Sequence, residues 1–210
     1  MYVESVNVGK PLVAEWKGRR FSTGIVKSPV VGSVALEGIN LAGDDQADRS
    51  VHGGPDKAVY AYSREDIDWW AQTLGRRIAP GGDFGENLTT VGIDLAEAII
   101  GERWRVGTVV LEVSEPRVPC FKLAMRMNDA SFPKKFSAAL RTGTYFRIIE
   151  EGAIAAGDAI VVSARPEHGL SVAAAARIYL FDHGSSSRFL EAPQLSEKWR
   201  SWARKVATLT

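Results

Sequence analysis

Apolar and polar residues alternate along Tyr2-Val3-Glu4-Ser5-Val6-Asn7-Val8, the period of a strand with one buried face. Short runs rich in β-branched and aromatic residues recur at 33–36, 58–62, 101–107, 108–113, 145–149 and 159–162. Gly107 joins the third and fourth of these as a paired unit, and Glu151-Gly152 and Gly157-Asp158 are turn signals between later runs. Many short strands broken by Gly and Pro predict a barrel or sandwich over the first two-thirds of the chain.

The period changes to that of a helix in a few places. Ser63 with Asp66 forms a capping-box-like start, Ile67, Trp70, Ala71 and Leu74 then share a face, and Gly75 ends the run. Residues 121–125 read as the opening of a helix, and 131–140 as another with Pro133 in its first turn. Composition shifts after Pro166. Residues 171–180 form an alanine-rich helix, 182–187 a polar loop, and 188–191 a helical turn stopped near Pro193. Ser196 then caps a helix with Trp199, Trp202, Ala203, Val206 and Leu209 on one face. The expected fold is α+β and mainly β: a β domain over 1–166 with flanking helices, then a three-helix extension over 167–210. That tail is short for an autonomous domain. It is expected to pack on the barrel or on a second subunit, which leaves a homodimer open.

Composition narrows the class. A chain of 210 residues with 45% hydrophobic content can bury an ordinary single core. The single cysteine excludes an intramolecular disulfide and a Cys-rich zinc site, and fits a reducing compartment. The N-terminal residues lack the basic and apolar regions of a signal peptide, and no run approaches the ~18–20 apolar residues of a bilayer span. A cytoplasmic protein with no membrane association is expected. Net charge is +1 and the basic residues are dispersed, so a nucleic-acid partner is not expected. Trp69, Trp70, Trp199 and Trp202 fall in helical patterns and read as core.

Candidate chemistry concentrates in loops. Cys120 follows the rigid segment Ser114-Glu115-Pro116-Arg117-Val118-Pro119, whose prolines fix φ and are expected to exclude regular hydrogen bonding. Arg117 and Lys122 beside it favour a thiolate, the form that attacks electrophiles or ligates soft metals; a small buried hydrophobe is the plain alternative. The loop 44–57 is polar and Gly-rich. Its Arg49, His52 and Lys57 could bind an anion, and Gly53-Gly54 lets backbone approach a ligand. In 81–89, Gly85 precedes Glu86 and Asn87, whose amide both donates and accepts, as a heterocycle edge requires. Residues 141–144 are a weaker fourth candidate, equally readable as a turn.

His52-Gly53-Gly54-Pro55-Asp56-Lys57-Ala58-Val59-Tyr60, Phe84-Gly85-Glu86-Asn87-Leu88 and Pro116-Arg117-Val118-Pro119-Cys120-Phe121-Lys122-Leu123 resemble, in order and spacing, the three signatures of the MOSC domain. That domain is named for the C-terminus of molybdenum-cofactor sulfurases. The helical tail resembles the extension of the bacterial stand-alone, YiiM-type branch. The resemblance implies a β-barrel and a bound molybdenum cofactor (Mo-molybdopterin), with Cys120 as the Mo-ligating thiolate. It places Arg49, Gly53, Lys57, Gly85, Glu86 and Asn87 around the cofactor. His52 and an arginine, Arg49 or Arg117, belong to the expected catalytic set. Members of the branch are similar in activity to mitochondrial amidoxime reductases and reduce N-hydroxylated compounds, including hydroxylaminopurine base analogues, a detoxification. His52, near its ordinary pKa of ~6.5, would suit proton donation in N–O cleavage. No segment reads as a flavin, nicotinamide or iron–sulfur site, so an external electron-donor protein is expected. The alternative is a cofactor or sulfur carrier without turnover.

Overall fold

The computed structural model describes residues 1–47, 53–79 and 81–208. Its strands are β1 Tyr2–Val8, β2 Leu12–Trp16, β3 Arg19–Thr23, β4 Ser28–Val30, β5 Val34–Glu37, β6 Asn40–Leu41, β7 Val59–Ser63, β8 Leu88–Val91, β9 Arg103–Val106, β10 Val109–Pro116, β11 Thr144–Glu150, β12 Gly152–Ile154 and β13 Ile160–Ala164. The α-helices are α1 Arg64–Leu74, α2 Phe121–Arg126, α3 Phe132–Ala139, α4 Val172–Phe181 and α5 Glu197–Ala207, with 3-10 segments at Pro55–Lys57 and His183–Leu190.

Eight strands form one sheet in the order β13-β9-β10-β11-β7-β8-β1-β4. All its pairs are antiparallel except β7 with β8, whose connection carries α1 across the sheet. The strand ladder is open, but the sheet curls on itself. Val3 N donates to Asp158 O at 2.9 Å, Gly157 N to Val3 O at 2.8 Å, and Ile160 N to Met1 O at 3.1 Å. With the antiparallel bridge Tyr2–Ala159, these bonds bring β1 against the start of β13. The barrel expected from sequence therefore has a seam of a few bonds in place of a continuous ladder.

The start of α1 follows its sequence. Ser63 Oγ accepts from Asp66 N at 3.1 Å, and Gly75 ends the helix at φ +60°. Pro133 occupies the first turn of α3, where its missing N–H costs nothing. The β2–β3 hairpin, β4 and β6 were not expected from the sequence, and other details also differ. The chain breaks at Glu151 between β11 and β12, where the Glu151-Gly152 signal lies, but Gly152 itself opens β12; a Cβ there would lie 2.5 Å from the Thr108 hydroxyl. β10 runs on through Pro116, beside a register shift between Val113 and Glu115, and a bulge is a place where a strand admits proline. Asp182 precedes the 3-10 segment and 183–187 belong to it, and the segment buries Ser186 and Phe189.

Two hydrophobic clusters flank the sheet. One runs from the barrel interior (Val109, Leu111, Val113, Phe146) into the tail (Ala175, Ile178, Phe189, Trp199, Ala203), so the helical extension packs on the barrel as part of the same core. The other joins Tyr60, Tyr62 and Phe84 to Ile67 and Trp70 of α1, Leu123 of α2 and Phe132 and Phe136 of α3. Trp69 and Trp202 are only half-buried; Trp70 and Trp199 are buried. Ser196 stands at the N-cap of α5 but makes no side-chain cap bond, and its buried hydroxyl has no partner among the described residues. Leu209 lies outside the described residues.

Candidate functional site

The bulged end of β10 sets the site. Beyond Pro116 the chain leaves the sheet, turns inward at Arg117, and passes through Val118-Pro119 to Cys120 at the N-cap of α2. The Cys120 carbonyl accepts from Leu123 N at 3.0 Å and Ala124 N at 3.4 Å, which fixes the residue while leaving the thiol partly exposed.

Arg117 is buried, unusual for a guanidinium. It donates through Nη1 to the Phe84 carbonyl and stacks 4.8 Å over the Tyr60 ring. Burial opposes its charge, yet the nearby Tyr60 and Tyr145 phenols and the Cys120 thiol hold its pKa above the ordinary arginine value. Burial pushes the Tyr60 and Tyr145 phenols up, so both stay protonated at neutral pH. The Tyr60 hydroxyl donates to Thr142 O at 2.8 Å.

Beside Arg117 lies a second buried charge cluster. Lys27 is ion-paired to Asp44, and burial lowers its pKa while Asp44 pulls it back up. Asp44 also accepts from Asn87 Nδ2 at 2.8 Å and from Gly9 N at 2.9 Å. Lys57 approaches from the 3-10 segment, pairing with Glu115 Oε1 at 2.6 Å and lying 5.8 Å over the Tyr145 ring. These groups line a polar pocket with Lys122 and Cys120. Lys27 and Lys57 are paired with Asp44 and Glu115, so Arg117 and Lys122 against Asp45 leave the pocket a small excess of positive charge, which suits an anionic ligand.

A second cavity adjoins the first and shares Lys57, Val118, Cys120 and Tyr145 with it. Its far wall is the C-terminal extension: Tyr179 from α4 with Trp199 and Trp202 from α5. Those rings pack together, Tyr179 4.5 Å from Trp199 and 4.9 Å from Trp202 between centroids. Cys120 thus stands between a cationic pocket and an aromatic groove.

The structure brings Lys57, Gly85, Asn87, Arg117 and Cys120 of the expected set around one pocket. Gly85, at φ +77°, is needed because a Cβ there would lie 2.6 Å from Ile25. The Asn87 side chain is spent inside the protein. Its Oδ1 accepts from Tyr60 N at 3.1 Å, and its Nδ2 donates to Asp44 and, at 3.3 Å, to Asn7 O. Glu86 faces away from the pocket. Its buried carboxylate accepts from Gly82 N at 2.7 Å, Phe84 N at 3.0 Å and Thr89 Oγ1 at 3.2 Å, closing the 82–89 loop on itself. Gly53 is described but does not line the pocket. Arg49 and His52 lie outside the described residues. Residues 141–143 lead into β11, which Thr144 opens: Arg141 pairs with Asp66 and stacks 4.8 Å over Trp69, away from the pocket.

Sequence reasoning missed Lys27, Tyr145 and the aromatic wall. Lys27 carries no local signal, since only its burial beside Asp44 marks it. The Trp199/Trp202 spacing was legible, but as a packing face; Trp202's half-exposure toward Cys120 is a tertiary fact.

Comparison with known proteins agrees with the geometry. The model of the MOSC domain matches residues 48–161. The Bacillus subtilis (strain 168) protein YflK is 40% identical over 95% of this chain and 91% of its own length. A Gibberella moniliformis (strain M3125 / FGSC 7600) protein named "Reductase" is 33% identical over 85% of this chain, which spans only 32% of that longer protein. The crystal structure of YiiM from Geobacillus stearothermophilus superposes with a TM-score of 0.80 at 32% identity, covering 98% of both chains.

Proposed function

The chain belongs to the MOSC domain family, and from that premise we propose that it is a molybdenum-cofactor-dependent reductase of N-hydroxylated purines and related N-oxygenated compounds. The observation that carries the reading is the place of Cys120, whose residue borders both the cationic pocket and the aromatic groove. The fungal relative's name, "Reductase", supports the same class of chemistry.

The residues present fit the cofactor by chemistry. A molybdenum–dithiolene group is anionic and soft, and the pocket offers one thiol with an excess of cations. The polar pocket encloses about 100 Å³, room for one portion of a large cofactor, with the adjoining groove open beside it. Cys120 would supply a protein ligand to molybdenum, while Arg117, Lys57, Lys27 and Lys122 would hold the anionic groups. When bound, the cofactor would supply two-electron reduction at the metal.

The chain's own task is position and hydrogen bonding. Conversion of R–NHOH to R–NH2 and water takes up two electrons and two protons. Lys57, held by Glu115, and Tyr145 line the cleft and would offer hydrogen bonds to the leaving hydroxide; burial raises the Tyr145 pKa, so the phenol would serve as a hydrogen-bond donor and the protons would come from solvent. Electrons are proposed to arrive from an external donor protein through the open cleft, a contact that can be small and polar.

The test uses protein purified from a cofactor-competent host, assayed for molybdenum and for 6-hydroxylaminopurine reduction. Stoichiometric molybdenum and turnover with reduced methyl viologen, but not with NADH alone, are expected. Bound cofactor with no turnover across several donors and N-hydroxylated substrates would establish a carrier instead. Steady NADH oxidation by the homogeneous protein would remove the need for a partner.

A further inference from the structure

The β2–β3 hairpin stands apart: among the described residues it joins no other sheet. Its turn is Lys17-Gly18, both in the left-handed region at φ +51° and +75°, and such a two-residue turn matches the twist of the strands it joins. The register sets Ala14 opposite Phe21 and Glu15 opposite Arg20, so the hairpin has two distinct faces. Phe21 marks the inner face. Its ring lies edge-on to Phe121 at 4.7 Å, and Arg19 from the same face stands 5.5 Å over the Phe121 ring. Val13, Glu15, Arg20 and Ser22 form the outer face, and all four are exposed.

Position and charge give this hairpin a use. Phe121 follows Cys120 directly, and the residues that leave the hairpin, Thr23, Gly24 and Ile25, line the cationic pocket. The hairpin is thus rooted in the pocket wall and rests on the neighbour of Cys120. Residues 10–23 carry Lys10, Lys17, Arg19 and Arg20 against Glu15, an excess of three positive charges in a chain whose net charge is +1. All four cations are exposed. Apolar surface accompanies them, with Val13 64% exposed on the outer face and Phe121 39% exposed under the inner one. Apolar contacts with a charged rim are the anatomy of a protein interface.

We propose that the hairpin, together with Phe121, is the docking surface for a protein electron donor with an acidic face around its redox group. This rests on the reductase reading and adds where the donor sits. The local charge selects an acidic partner and speeds its encounter. Two strands of five residues offer a small contact, which suits electron-transfer encounters, typically below about 1,200 Å² in total. Contact with Phe121 brings the donor beside Cys120, a proximity that neither a nucleic acid nor a lipid surface would use. Each R–NHOH reduced to R–NH2 and water takes two electrons from the donor, in two encounters with a one-electron carrier, and two protons from solvent.

Surface plasmon resonance on the full-length protein tests it, with two acidic probes, a flavodoxin and an iron–sulfur ferredoxin. Saturable binding of at least one probe is expected at about 20 mM salt, weakening about tenfold by about 300 mM. The double variant Lys17→Glu with Arg20→Glu changes only exposed side chains and should melt close to the parent while losing about tenfold in affinity. Arg188→Glu, exposed on the C-terminal extension, should bind as the parent does. In the cofactor-loaded double variant, the rate driven by the probe should fall about tenfold relative to the rate driven by methyl viologen. No saturable binding of either probe, binding that the double variant leaves unchanged, or equal binding of serum albumin, which is acidic and redox-inactive, overturns the proposal. Tighter binding of duplex DNA or of phosphatidylserine vesicles than of either probe overturns it as well. Hairpin-dependent binding with no turnover from any donor would count against the reductase reading alone. Probe-driven turnover that is indifferent to the hairpin charges would count against the docking surface alone.

Discussion

Asn87 Nδ2 donates to Asp44 Oδ2 at 2.8 Å, and through that bond the loop before β8 is tied to the buried Lys27–Asp44 pair. The contact spans 43 residues of sequence and fixes one wall of the pocket. Replacing Asp44 by Ala leaves Lys27 buried without its counter-charge and Asn87 without an acceptor. Such a loss costs about 3–5 kcal/mol, so a drop of that size in chemical denaturation is expected. The double variant Asp44→Ala with Lys27→Met removes the stranded charge and should recover part of the loss. Equal stability of the single and double variants would show that the pair is not coupled.

Cys120→Ala should fold with a melting temperature close to the parent, because the thiol is partly exposed and contributes little core. Molybdenum content of the purified variant is expected to collapse. Cys120→Ser is the sterner comparison, since a harder oxygen replaces sulfur with little change of shape. Retention of full molybdenum content by the alanine variant would remove Cys120 as the ligand.

Arg117→Lys keeps the charge and discards the planar group that stacks on Tyr60 and reaches the Phe84 carbonyl. A desolvated cation–π contact is worth about 2 kcal/mol, so stability should fall by roughly that amount. Cofactor retention during gel filtration should fall more steeply than stability does. A variant with unchanged cofactor retention would confine Arg117 to a structural role.

Glu86 gives a pH test. Burial raises its pKa above 4.5, although bonds from Gly82, Thr89 and Phe84 oppose the shift. The folded state therefore binds its proton more readily than the unfolded chain. The Glu86 contribution is fully favourable below the unfolded pKa and is lost as pH rises through the higher folded pKa. Glu86→Gln should flatten that part of the stability–pH curve. It should also cost about 1–3 kcal/mol at neutral pH, because an amide cannot accept from Gly82 N and Phe84 N with both its atoms. Urea denaturation from pH 4 to 7 measures both; an unaltered slope would show that Glu86 does not titrate there.

Local physics made much of this molecule readable in one dimension. The strand at 2–8 was legible from its apolar residues, but its period was not: a register shift between Val3 and Ser5 breaks the alternation, so that Val3, Val6 and Asn7 are the buried positions. Ser63 and Gly75 bounded α1, because an N-cap hydroxyl and a left-handed C-cap are decided within four residues. Pro133 marked the first turn of α3 for the same reason. Cys120 could be singled out by its uniqueness and its proline-bound setting, and three spaced signatures pointed to the family. The barrel seam, by contrast, joins residues 1–3 to 157–160, and no local pattern records that meeting. Asn87 reads in sequence as a ligand-binding amide, but Tyr60, Asp44 and Asn7 have already claimed it, since folding places three distant partners around one side chain. Lys27 became a site residue only through burial beside Asp44. Trp199 and Trp202 read as a packing face, and only docking of the tail on the barrel set them opposite Glu115 and Cys120. The chain alone determined α1, most of the longer strands and the chemistry available to it, while the β2–β3 hairpin, β4 and β6 carried too weak a local pattern to be read. Which polar groups are spent on the fold and which are left for a ligand was decided by long-range packing, because hydrogen-bond satisfaction depends on neighbours that are distant in sequence.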